Sequence, residues 1–406
     1  MSPTASCFST RAGSWSRENP TRRSATRPTS GWLASSPAST IEDRAMTEAR
    51  PVRNVTIFGA GRVGLCLADL LAGSGDYDVT LADCTEEALA AASAAGHAAS
   101  HADVSRGEDI NRILPGSDLV VAAVPDRLVH RLAAAAADAG LHYLDFSEAG
   151  EETRAAAARA RSDRAFLPGC GVSPGVVDSI AYGLALRLDQ GCDIDIRVGA
   201  IPAARTNRLG YGLIWNLDGL LAEYTKPCTA IVDGNRVTLP PLSGLEEFTV
   251  DGVRYEAFLT AGSIEGLATL VAPHARNLVF RTIRHPGHLD YMLLLLDDLG
   301  LRSRRDLLGT VLRNGLPAGG ADVVLIDVRA SGSRAGKPAE ERFAMRLKSQ
   351  AGGADHGALA AGSAAHAAAL IDLTRAGTLL GERLRIPALV PHEDVFENRF
   401  FVDLCT

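Results

Sequence analysis

From residue 54 onward, short apolar runs alternate with longer amphipathic ones. Val55, Ile57 and Phe58 open the series, 119–124 is apolar almost throughout, and 142–146 ends it. Apolar runs of this length bounded by turn residues read as buried strands. The segments 65–71, 86–95 and 128–139 carry apolar residues at helical spacing. A second strand is expected at 79–82, and 101–104 is read as a third, ended by Asp103. Strand and helix in alternation with short connections predict an α/β fold with a doubly wound parallel sheet.

After residue 168 the pattern changes. Period-two alternation marks strands at 193–198, 229–232 and 248–258, and Asp233-Gly234-Asn235 carries the residues of a tight hairpin turn. This predicts an α+β substrate domain. An alanine-rich helical stretch near 352–385 is expected to pack back on the first domain. The first 45 residues are rich in Ser, Thr, Pro and Arg without periodicity. They are expected to be disordered, with Met46 as the natural start. The expected organisation is an N-terminal extension at 1–50, a nucleotide-binding domain at 51–168, an α+β domain at 169–345 and a C-terminal helical segment at 346–406.

The strand at 54–58 runs into Gly59-Ala60-Gly61-Arg62-Val63-Gly64, and an acid, Asp83, ends the second strand about twenty residues later. Glycine at the first position permits the tight turn, at the second lets a diphosphate approach the backbone, and at the third lets helix meet sheet closely. This is the Rossmann fingerprint. Its free helix N–H groups suit phosphate. Asp83 would accept hydrogen bonds from the ribose hydroxyls and repel a 2′-phosphate, and Cys84 adds no positive charge, so NAD is expected over NADP. Asp103, Val124 and Pro125 are the further expected cofactor contacts.

Composition mainly excludes. A net charge of -7 argues against nucleic acid. No apolar run is long enough to span a bilayer. Seven cysteines without a CxxC pair fit a reducing cytoplasm and no metal site. Lysine occurs only at 226, 337 and 348, so a catalytic lysine has few candidate positions.

Beyond the fingerprint the chain resembles the saccharopine dehydrogenase superfamily, in particular its lysine 6-dehydrogenase branch. The resemblance rests on His142-Tyr143-Leu144-Asp145, the turn Pro168-Gly169-Cys170-Gly171-Val172-Ser173-Pro174-Gly175, Leu209-Gly210-Tyr211, Ile214-Trp215-Asn216, Glu223-Tyr224, Glu256-Ala257-Phe258 and Arg281-Thr282-Ile283-Arg284-His285-Pro286-Gly287-His288. It implies a Rossmann domain split in sequence, an inserted α+β catalytic and dimerisation domain with a mixed sheet, a homodimer, and NAD-dependent oxidation of an amino acid at a carbon bearing an amine. Reductive condensation and a cofactor-binding scaffold without turnover are the alternatives. Departures from the family pattern lie at Arg281, at His285 and in the turn Gly262-Ser263-Ile264-Glu265-Gly266.

Such a reaction needs a proton acceptor and a holder for the substrate carboxylate. His285 and His288 are candidates for proton transfer, because imidazole titrates nearest neutrality. Arg284 could clamp a carboxylate in a two-pronged fork. Asp145, at a strand end facing the cofactor, could bind an amine or orient water. Tyr211, Trp215, Tyr224 and Glu265 are the expected substrate contacts.

Overall fold

The computed structural model describes residues 52–262, 264–348 and 356–404. The expectations for the first fifty residues lie outside the described residues.

The first sheet is built from β1 (Asn54–Phe58), β2 (Asp78–Asp83), β3 (Ala98–His101), β4 (Leu119–Ala122), β5 (His142–Asp145) and β6 (Phe166–Leu167). Helices α1 (Arg62–Gly73), α2 (Glu86–Ala94), α3 (Gly107–Ile113), α4 (Asp126–Asp138) and α5 (Glu151–Arg159) connect them. The order is β3-β2-β1-β4-β5-β6 with parallel pairing throughout. The order reverses between β1 and β4, and such a switch opens a crevice beyond the strand ends. Every residue of β4 is buried, as a strand covered on both faces requires.

After α6 (Val176–Ala185) the chain enters β7 (Cys192–Pro202), α7 (Leu217–Thr225), β8 (Cys228–Val232), β9 (Asn235–Leu239), β10 (Glu246–Val250), β11 (Val253–Leu259), α8 (Glu265–Val271), β12 (Ala275–Arg284), α9 (His288–Leu293), α10 (Arg305–Gly315), β13 (Asp322–Arg334) and β14 (Lys337–Lys348). The sheet order is β10-β11-β12-β7-β13-β14, with β8 on β12 and β9 on β8. β7 and β12 are parallel and their other neighbours antiparallel, so the sheet is mixed.

Two local expectations change. The third strand is Ala98–His101, in register with Thr80–Asp83, so Asp103 lies in the following turn. The run 248–258 is a hairpin rather than one strand. Asp251 and Gly252 both have positive φ, the same turn chemistry as Asp233-Gly234. Asp327 on β13 is buried and paired with Arg342 at 2.7 Å.

Helix α11 (Ala358–Arg375) returns to the first domain and packs on α1. It is buried on nearly every side from Ala358 to Ile371, as a helix lacking a polar face must be. Its alanines leave room for one apolar core running from Leu67 and Leu71 through Ala365 and Leu370 to Ile196 and Ile326 of the second sheet. Asp322 starts this return. Its carboxylate accepts the N–H groups of Ala358 at 2.5 Å and Leu359 at 3.0 Å, answering the free donors of the first turn of α11. Asp322→Ala is expected to destabilise the protein by about 1–2 kcal/mol, as loss of a helix cap does. Asp322→Asn should cost less, and thermal unfolding of the two variants checks the difference.

Candidate active site

The β1–α1 turn shows why its glycines differ. Gly59 has φ +102°, and a Cβ there would lie 2.1 Å from the Ala123 carbonyl oxygen. A Cβ on Gly64 would lie 1.9 Å from the Gly59 oxygen. Packing alone accounts for these two. A Cβ on Gly61 would meet nothing within 4 Å. Protein packing does not require glycine there; the bare backbone at the start of α1 fits a diphosphate brought against it. The turn residues therefore fit a dinucleotide cofactor.

Asp83 is fastened to this turn. One carboxylate oxygen accepts Ala60 N–H at 2.9 Å, and the other accepts the N–H and hydroxyl of Thr85, both at 2.9 Å. The acid thus stands beside the turn at the head of α2. Cys84 and Pro125 are exposed, and Val63 and Val124 are half-buried. Pro125 starts α4. The Asp103 carboxylate accepts Ser105 N–H at 2.8 Å, and the Ser105 hydroxyl, then this N–H, hold it below the usual carboxylate range. Arg62 donates to the Ile214 carbonyl at 2.9 Å and so bridges the cofactor helix to the second domain.

A small cavity of about 90 Å³ lies between the loop after β6 and the second sheet, lined in part by Ser173, Trp215, Glu223, Thr282 and Arg284. Period-two geometry explains the contribution of β12. Phe280, Thr282 and Arg284 face the cavity, whereas Arg281 and Ile283 face the other side. The family departure at Arg281 therefore does not touch the cavity. Its guanidinium pairs with Asp195 at 2.5 Å.

Arg284 is 2% exposed, so protein groups must replace its water. Its Nε donates to the Tyr224 hydroxyl at 2.7 Å, Nη1 to the Ile283 carbonyl at 2.9 Å and Nη2 to Glu223 at 3.4 Å. The Tyr211 and Tyr224 rings lie 5.1 Å and 5.7 Å from the guanidinium carbon. Burial opposes the charge, but Tyr224, Tyr211 and Glu223 together hold the pKa above its ordinary value. Glu223 is pushed up to about 7, by burial first, with Arg284 pulling the other way. A quarter of its side chain still opens outward, so this acid is both perturbed and reachable.

The expected histidines have other work. His288 is 1% exposed, with Nε2 2.9 Å from the Tyr224 hydroxyl and Nδ1 2.8 Å from the Leu209 carbonyl. Burial, then the Arg284 charge, pushes its pKa down to about 3. A neutral ring donating from Nδ1 to Leu209 accepts the Tyr224 proton at Nε2, which leaves the phenol oxygen free to accept from Arg284. His288 thus positions Tyr224 and Arg284. His285 lies against Tyr255 and its Nε2 meets the Pro202 carbonyl at 2.9 Å, away from the cavity lining. Glu256, buried beneath this turn, accepts Gly287 N–H and Leu289 N–H at 2.7 Å each and fixes its path.

Asp145 is also reassigned. It is fully buried and accepts from Tyr143 hydroxyl at 2.8 Å, Gly169 N–H at 2.9 Å and Ser147 N–H at 3.0 Å. Burial raises its pKa to about 6 against those three donors. It ties β5 to the turn at 168–170 and leaves no oxygen aimed at a substrate. Glu265 lies away from the cavity, at the start of α8, paired with Arg236 and Thr229. The neighbouring Glu148 accepts Gly266 N–H at 2.7 Å. Trp215 lines the cavity and donates to the Tyr211 hydroxyl at 3.0 Å, while Tyr211 and Tyr224 are buried behind it.

Sequence reasoning placed Glu223 within a motif but gave it no chemistry. The available signal was its place among Leu220, Leu221 and Tyr224, all buried in the structure. An acid inside such a stretch is a candidate for a perturbed pKa. Among the described residues no group of three His, Cys, Asp or Glu is placed to hold a metal, and no helix is long and apolar enough to cross a membrane.

The glycine geometry predicts opposite effects for two similar changes. Gly64→Ala should lower the unfolding temperature because the added methyl collides with backbone. Gly61→Ala should leave the unfolding temperature unchanged and weaken dinucleotide affinity at least about tenfold, since a lost close approach of about 1.4 kcal/mol has that effect. Calorimetric titration with NAD separates the two.

A family model described as the saccharopine dehydrogenase NADP binding domain matches residues 55–166, and one described as the saccharopine dehydrogenase C-terminal domain matches residues 171–376. Apo saccharopine dehydrogenase (L-Glu forming) from Saccharomyces cerevisiae is 16% identical, with a TM-score of 0.73 over 85% of this chain and 96% of that one. A homospermidine synthase from Legionella pneumophila, solved with NAD, is 12% identical, with a TM-score of 0.59 over 87% and 90% of the two chains. These likenesses support the fold, and the family models cover both domains. With its NAD(P)-binding sheet and its mixed-sheet partner, this chain belongs to the saccharopine dehydrogenase family.

Proposed function

We propose that the protein is an NAD-dependent oxidoreductase that opens a C–N bond of an amino acid, with lysine, through the lysine 6-dehydrogenase resemblance, as the first substrate to try. The observation that carries this reading is the Glu223–Arg284 pair in a cavity bordered by the loop that follows the nucleotide-binding sheet. Arg284 suits a carboxylate, and Glu223 suits an ammonium proton. The cofactor, when bound, accepts the hydride.

The residues of this chain do the rest. The charge on Arg284 is kept in place by Tyr224, which His288 orients. Glu223 in its ionised form takes the proton from the substrate ammonium, because only the neutral amine has a lone pair to release toward carbon. The apolar walls Val198, Phe280 and Val324 limit water around the reacting atoms. Asp83 favours NAD through the ribose hydroxyls. A homodimer in the cytoplasm is the accompanying expectation.

NAD reduction across an amino-acid panel containing lysine tests the reading, and silence from all of them would sink it. Because Glu223 must be ionised and its pKa is raised to about 7, kcat/KM should climb as pH rises through about 7 and level off above. Glu223→Gln should remove that limb and lower kcat by roughly 10²–10⁴-fold, the usual worth of a general base. Asp83→Ala should weaken NAD and raise the relative use of NADP. An unchanged NAD/NADP ratio in steady-state kinetics would refute the role given to Asp83.

A further inference from the structure

Lysine offers the proposed oxidation two carbons, C6, to which the lysine 6-dehydrogenase resemblance points, and C2. Resting on that reading, we propose that the reacting carbon is the one that also carries the carboxylate, so that the protein oxidises the α-carbon of a 2-amino acid or of its N-substituted form.

Distance selects the α-carbon. Glu223 and Arg284 are in contact, with Nη2 and Oε2 3.4 Å apart. The cation that suits a carboxylate and the anion that suits an ammonium therefore occupy one spot on the cavity wall. A substrate that engages both must present its own two charged groups side by side. A 2-amino acid does so, with a single carbon between carboxylate and amine. The distal amine of lysine is separated from its carboxylate by four more methylenes, so it cannot reach Glu223 in an extended chain while the carboxylate rests on Arg284.

Arg284 has capacity for this. A guanidinium has five N–H groups. Tyr224, Ile283 and Glu223 take three of them, which leaves two. The Ser173 hydroxyl oxygen lines the same cavity without a protein partner and adds a hydrogen-bonding group from the loop after β6. The cavity volume is about 90 Å³, well below the roughly 300–1,000 Å³ of pockets that enclose whole ligands. It seats a compact head group. Glu223 is the one acid among the described lining residues, so no second carboxylate there answers a distal ammonium.

Glu223 takes one proton from the ammonium. The nitrogen lone pair closes a C=N bond as the α-hydrogen leaves with its electron pair to the nicotinamide, the oxidant. Water adds to the imine carbon, and the adduct splits into a 2-oxo acid and ammonia, or the second amine.

The test uses the full chain with NAD and a panel of 2-amino acids deuterated at C2, together with lysine deuterated at C2 or at C6 in separate reactions, and reads the mass of the NADH formed. Deuterium arriving from C2 is expected. Deuterium arriving from C6 of lysine would overturn this inference and leave the amino-acid oxidoreductase standing. No NADH from any amino acid would take down that reading and the inference with it. Binding gives a readout independent of turnover. In calorimetry with NADH present, L-norleucine should bind, and both hexanoate and hexylamine should bind at least tenfold more weakly. Equal binding of hexylamine would also overturn the inference. Arg284→Lys should lose at least tenfold in L-norleucine affinity, because an ammonium lacks the planar fork.

Discussion

A guanidinium shut away from water must have its hydration replaced by protein groups, and the second domain is arranged around that requirement at Arg284. The donors of Arg284 need acceptors, and the main one is the Tyr224 hydroxyl. The hydroxyl can accept freely only if its own proton has somewhere to go, and His288 takes it. His288 can take it only while neutral with its proton on Nδ1, which the Leu209 carbonyl arranges. Each group therefore depends on the next. Removing one member leaves a buried polar group without its partner, which costs more than the bond itself contributes. Glu223 completes the arrangement as the counter-charge that still opens to the cavity.

This network lies on β12, α7 and α9, all in the second domain, whereas the dinucleotide turn lies on β1 and α1 in the first. Chemistry requires the two to hold a fixed relation. The alanine helix α11 supplies it, sharing one apolar core with α1 and the second sheet. Polar ties reinforce the seam: Asp69 on α1 is paired with His356 at 2.6 Å, and the Tyr77 hydroxyl donates to Asp372 at 2.7 Å. Small side chains on α11 permit close approach, and the flanking hydrogen bonds set its register.

Much of the nucleotide domain was legible because its signals are local. The glycine turn, the strand before it and Asp83 after it are neighbours in sequence, and strand–helix alternation specifies a parallel sheet almost without reference to the rest. The misplaced third strand has a plain cause. The run 98–101 is weakly apolar and half-exposed, so pairing with β2 placed it there, while periodicity gave no cue. The hairpin at Asp251-Gly252 was marked in sequence by the same residues as Asp233-Gly234 and was missed because its flanking strands look continuous.

The catalytic assignments divide along the same line. His285, His288 and Asp145 carry chemistry that suits a proton-transfer site, and sequence can report residue type, motif and spacing. It cannot report that both nitrogens of His288 are engaged, that Asp145 faces three donors, or that Glu265 pairs with Arg236 away from the cavity. By itself the sequence determined the fold class, the dinucleotide turn and the family, because each is written in contiguous residues. The tertiary structure alone decided that Glu223 rather than a histidine holds a pKa near neutrality beside Arg284, since that value comes from burial and from a charge sixty-one residues away in the chain.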